Sequence, residues 1–81
     1  LVEMATQMRK LSVGDIYYTV IAPLRYSHGL IAFGVEPTPE AALATLPDHW
    51  PTRPLYIEKR QIEEISEKSF LSRNLERLPP V

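Results

Sequence analysis

The stretch PDHWPTRP, residues 47–54, gathers an acid (Asp48), an imidazole (His49), the chain's one tryptophan (Trp50) and a guanidinium (Arg53) among prolines. Those types could build a binding loop. Trp50 would be a stacking platform, His49 with Asp48 an acid–base pair, and Arg53 a clamp on an anion. The small-ligand version is a pocket between helix and sheet, closed by Trp50, with Arg53 or His49 as its polar group. A mechanical reading competes. Pro47, Pro51 and Pro54 restrict the unfolded chain and force an extended path. Trp50 is then a large apolar side chain plugging the edge of a small core. Asp48 and His49 are adjacent, so on extended backbone their side chains diverge. The mechanical reading is the expectation.

Three other sets of residues invite chemistry. Ser27 beside His28 suggests a nucleophile and its base, but adjacent residues on a turn tip cannot meet side chain to side chain, and the tip shelters no oxyanion. Glu63, Glu64 and Glu67 could mimic paired carboxylates. They stand among Lys59, Arg60, Lys68 and Arg73, which reads as a solvated, charge-balanced face. Gly14, Gly29 and Gly34 make no phosphate-binding spacing, and no H-E-x-x-H occurs. No catalytic residue, metal ligand or cofactor is expected, and the chain reads as non-enzymatic.

The aromatic residues carry more. Tyr17, Tyr18, Tyr26, Phe33 and Tyr56 fall on or beside candidate strands. Aromatics exposed on a sheet grip single-stranded nucleic acid or peptides. A nucleic-acid binder would use Tyr17, Arg25 and Tyr26. A protein-binding face would use Tyr17, Thr19 and Ile21, which alternate onto one side of their strand. Charge favours protein. Nine basic and ten acidic residues give a net charge of −1. Residues 58–81 carry five of each sign, and no segment makes the basic field that duplex binding needs.

The elements that would position these residues are marked by their punctuation. Gly14-Asp15 signals a turn, and Ile16-Tyr17-Tyr18-Thr19-Val20-Ile21 are all β-branched or aromatic, so a strand runs to Pro23. Both its faces are apolar, so something must cover the reverse side. Residues 24–30 form a loop, and 29–37 a second strand pairing as a hairpin. TPEAALATLP, 38–47, is a helix: Thr38 as N-cap, Pro39 at the first position, Glu40 in the first turn and Pro47 as stop. LYIEKR is a third strand, with Leu55 and Ile57 on one side. As one helix at ~100° per residue, residues 61–78 would put Ile62, Ile65 and Phe70 opposite Leu71, Leu75 and Leu78. A break near Ser69 resolves this. Residues 61–66 then continue the strand or bridge, and 72–78 form a terminal helix docking Leu71, Leu75 and Leu78.

KLSVGDIYYTV is similar to the opening of SH3-like barrels, where V-G-D-x-V/I-Y begins the first strand. The likeness covers about ten residues and breaks at the inserted TPEAALATL; it implies a curled antiparallel sheet and no functional residue. The fold class expected is therefore α+β: a small curled antiparallel sheet of three or four strands, SH3-like, with one short inserted helix and a C-terminal helix.

At 81 residues the chain is one small domain, whose core alone supplies about 3–5 kcal/mol. It contains no cysteine, so disulfides and thiolate metal sites are excluded. His28 and His49 lie far apart. Oligomerisation is the compensator left, so a homo-oligomer or a protein partner is expected. Residues 1–12 read as a flexible or weakly helical leader, with Met4, Met8 and Leu11 at helical spacing and Met4-Ala5-Thr6 resembling a natural start; 13–81 is the folded domain. No signal-peptide core or apolar run of membrane-spanning length is present. With the lack of cysteine this points to the cytoplasm.

Overall fold

A computed structural model describes residues 11–24, 28–50 and 53–80. The leader expected over residues 1–12 thus lies outside the described residues, save for 11 and 12. Four strands form one antiparallel sheet: β1 (Ile16–Pro23), β2 (Leu30–Glu36), β3 (Tyr56–Ile65) and β4 (Phe70–Arg77), in the order β2-β1-β3-β4. β1 is central because both its faces are apolar. β2 and β3 each run antiparallel to it, so they are parallel to one another, and the chain must cross β1 to join them. The crossing contains the one helix, α1 (Pro39–Leu43).

The capping residues of α1 act as the sequence implies. The Ala41 amide donates to Thr38 Oγ1 at 3.1 Å, and Pro39 opens the helix. Five residues cannot persist as a helix alone. Docking holds this one. Ala42 is fully buried against Val20 and Ala22 of β1, with Leu55 and Ile57 completing the core. Tyr18, Phe33, Leu43, Leu46, Trp50 and Leu78 surround it. Two alanines at the contact let helix and sheet approach closely.

β2 carries a bulge. Val20 stands opposite Phe33 and Tyr18 opposite Glu36, so Gly34 and Val35 together face Thr19. Gly34 has φ +86°, and a β-carbon there would lie 2.9 Å from Thr45 Oγ1, just past α1. The missing side chain is what lets the helix end sit over β2.

The C-terminal helix does not exist. Residues 70–77 are β4, hydrogen-bonded to β3. Ser66-Glu67-Lys68-Ser69 turns the chain, with the Ser66 amide donating to Ser69 O at 2.8 Å. Residues 61–65 simply continue β3. The helical spacing of Leu71, Leu75 and Leu78 misleads because β4 is bulged: Lys59 faces Glu76 while Arg60 faces Asn74, leaving Leu75 extra. The bulge resets alternation, so Leu71 and Leu78 share a face seven residues apart. Only Leu78 reaches the core; Leu71 is 62 % exposed. A helix here would also have stripped β3 of its outer partner strand.

The SH3-like expectation fails too. Among the described residues β2 and β4 do not pair, so the sheet is open with two edges and no barrel closes. The described residues are mostly sheet, with a single short helix among them. No described helix is long and apolar enough to cross a membrane.

Candidate functional site

Pairing fixes which side chains share the face turned away from α1. Tyr17 stands opposite Arg60, Thr19 opposite Glu58, and Ile21 opposite both Tyr56 and Ala32. On β4, Asn74 lies beside Arg60, Ser72 beside Ile62 and Arg77 beside Glu58. Among the described residues no helix covers this face. Its own side chains do so in part.

Glu58 is the centre of that cover. Its side chain is only 8 % exposed. Oε1 accepts from Arg60 Nη1 at 2.7 Å, and Oε2 accepts from Arg77 Nη2 at 2.7 Å. Arg60 continues the chain of bonds: Nε donates to Ser72 Oγ at 2.8 Å and Nη2 to Ser72 O at 2.9 Å. Ser72 Oγ shares a 2.8 Å hydrogen bond with the Tyr17 hydroxyl. The Tyr17 ring meets Phe70 edge-on, with centroids 5.6 Å apart, and the Arg77 guanidinium sits 5.0 Å above the Tyr56 ring. Burial alone would raise the Glu58 carboxyl. The hydrogen bonds from Arg77 and Arg60, with their charges, more than offset that and hold it below its ordinary value.

Beside this network lies a groove of about 280 Å³. Tyr17, Thr19 and Ile21 form its floor, Ala32, Gly34 and Val35 one wall, and Glu58 and Arg60 the other. Both charged heads are turned toward β4 by the bonds above, so their stems face the groove. Thr19 Oγ1 is engaged as well, donating to Phe33 O at 3.0 Å in the β2 bulge. The groove therefore offers apolar surface over a polar, already bonded foundation. It suits an apolar side chain better than proton transfer.

The structure gathers Tyr17, Thr19 and Ile21 into this one site, though Tyr17 and Thr19 are buried and Ile21 half-buried. Tyr17 has its ring against Phe70 and its hydroxyl bonded, so it presents no open face for a base. Arg25 and Tyr26 lie outside the described residues, as does Ser27; His28 is exposed. Glu63 makes a loose 3.5 Å ion pair with Arg73, both more than half exposed. No three described His, Asp or Glu side chains converge as metal ligands would.

The described residues of the connector are placed differently from one another. His49 is exposed at φ +60°. Arg53 Nη1 donates to Trp50 O at 3.1 Å, tying the connector to itself. Trp50 packs edge-on against Phe33 with centroids 5.0 Å apart, and its buried Nε1 has no hydrogen-bond partner among the described residues. Trp50 is thus an aromatic plug whose polar atom gains no bond from the described residues. Trp50→Phe should stay within about 1 kcal/mol of wild type, because the smaller ring also removes an unpaired buried donor. Urea unfolding followed by circular dichroism reads this; a loss above about 3 kcal/mol, the scale of deleting an aromatic outright, would mean the indole N–H has a partner.

Sequence reasoning missed Glu58, Arg60, Ser72 and Arg77. The signal for the first two was available: once Leu55 and Ile57 point to the core, alternation sends Glu58 and Arg60 to the side of Tyr17. Ser72 and Arg77 needed β4 and its register. Compared with family models, curated proteins and solved structures, the chain matches none.

Proposed function

We propose that this chain is a non-catalytic binding module that receives an apolar protein segment in the groove over Tyr17, Thr19 and Ile21. One observation carries the reading. The face is braced by a part-buried polar network centred on Glu58, whose members bond one another, yet it leaves a groove walled by β2 with half-buried Ile21 on its floor and exposed Ala32 on its rim. Grooves of this kind, held rigid beforehand, bind by seating one or two side chains in a site that needs no reordering. The engaged state of Thr19, Glu58 and Arg60 supports binding over catalysis. The flat charge and the covered Tyr17 ring favour a protein segment over nucleic acid. The lack of cysteine fits a reducing compartment, and we place the module in the cytoplasm.

Ile21→Arg tests this. The substitution puts a charge into the groove without touching the core beneath α1. Random peptides displayed on phage are selected on wild type and depleted on the variant. Enrichment of apolar sequences that survive depletion, with the variant's melting temperature close to wild type, is the expected result. If every enriched peptide binds both proteins equally, the groove is not the site. Sedimentation of both proteins decides whether the seated segment belongs to a second copy: self-association lost in Ile21→Arg would assign it so.

A further inference from the structure

A four-stranded open sheet has two edges, and they differ in what they can recognise. The β2 edge carries no charge from Leu30 to Val35, so nothing on it selects a register or a partner. β4 does carry such information. Arg73 stands opposite Gln61, which stands opposite Ile16; Glu76 stands opposite Lys59, which stands opposite Tyr18. Ile16 and Tyr18 are two residues apart on one strand and share a face. Arg73 and Glu76 therefore share that face too, although they are three apart, because the bulge at Leu75 intervenes. Opposite charges on one face of one edge strand form a self-complementary pair under two-fold symmetry.

We propose that a second copy of this chain pairs antiparallel with the outer edge of β4, placing Arg73 of each copy beside Glu76 of the other. Two further features agree on the same register. Ser69 O bonds inward to Ser66 and the Leu78 amide inward to Ile57 O. Strand backbone groups alternate sides, which turns those of Ser72 and Arg77 outward, and this register sets Ser72 against Arg77 of the second copy; Ser72 O accepts from Arg60 Nη2 at 2.9 Å and has its second lone pair for the ladder. The same register also sets Leu71, 62 % exposed in the monomer, against Leu78. The charges concerned are held only by exposed partners or by none among the described residues: Arg73 reaches Glu63 at 3.5 Å and donates Nη2 to Gln61 Oε1 at 3.2 Å, and Glu76 makes no ion pair with a described residue. At the dyad the Glu76 amide is already bonded to Asn74 Oδ1 at 3.1 Å, so the ladder bonds between copies fall on the flanks. Charges on an edge ordinarily repel a second copy; here the spacing turns them into a selection for one.

The test is a charge-swap cycle read by sedimentation velocity across a concentration series, with circular dichroism confirming each fold. Wild type should dimerise. Arg73→Glu and Glu76→Arg each set like charges together twice and should weaken the dimer by roughly tenfold or more. The double variant R73E/E76R restores opposition and should return to wild-type dimerisation. Ile21→Arg should leave this dimer unchanged, which separates the edge from the groove. A wild type that stays monomeric throughout, single variants that dimerise like wild type, or a folded double variant that fails to recover would each overturn the proposal.

Discussion

Replacing Glu58 with alanine is expected to destabilise the domain by about 3 kcal/mol, because it leaves Arg60 and Arg77 without the buried carboxylate that holds them. The figure sits at the low end for a broken buried pair because Arg77 is half exposed and water recovers part of its share. For a domain of this size that is a fall in melting temperature of about 12–24 °C. Glu58→Gln keeps the shape and one acceptor and should lose less. The pH profile gives an independent reading. A carboxyl held below its ordinary 4.5 in the native state stabilises the fold fully above that pH. The contribution is lost as pH falls through the lower native value. Wild type should therefore weaken on acidification below about 4.5, and Glu58→Ala should follow a shallower course over the same range. Denaturant unfolding at several pH values measures both. A loss under about 1 kcal/mol would mean the network is an ordinary surface ion pair.

Gly34→Ala is the second large effect, at about 2–5 kcal/mol. Two costs combine. An L-residue at φ +86° gives up about 1–2 kcal/mol to its own backbone. The new β-carbon also lies 2.9 Å from Thr45 Oγ1 and 3.1 Å from Thr45 Cγ2, and overpacking of this kind costs about 1–3 kcal/mol. Both branches of Thr45 are in the way, and its hydroxyl donates a 2.7 Å bond to Ala42 O, so turning the side chain aside gives up that bond. On a Thr45→Ala background only the backbone share should remain, about 1–2 kcal/mol. Equal losses in both backgrounds would show that helix and bulge are not in contact.

Most of the centre of this fold was legible in the residues. β1 is marked by six consecutive β-branched or aromatic residues and stopped at Pro23; α1 is marked by Thr38, Pro39 and Glu40. The last strand was not legible. FLSRNLER spaces its leucines as a helix would, and only a bulge, which depends on the register against β3, reconciles that spacing with a strand. Ser66 and Ser69 were the available hint, a tight polar turn between two apolar-bearing runs. The site was half legible for the same reason. Alternation places Tyr17, Thr19 and Ile21 together, since it is a local property. The cover that buries Tyr17 and Thr19 comes from Arg60, Ser72 and Phe70, and those meet across strands whose pairing no local pattern states. In PDHWPTRP, Trp50 packs edge-on against Phe33 while His49 faces solvent, and neither placement follows from composition.

Amide chemical-shift mapping, with one peptide from the Ile21→Arg-depleted selection as the added ligand, tests the placement of function most directly. The expected result is perturbation concentrated at Tyr17, Thr19, Ile21, Ala32 and Val35, with the α1 amides unmoved. Shifts centred instead on His49, Trp50 and Arg53, or spread evenly over both sheet faces, would contradict a binding site on the face turned away from α1.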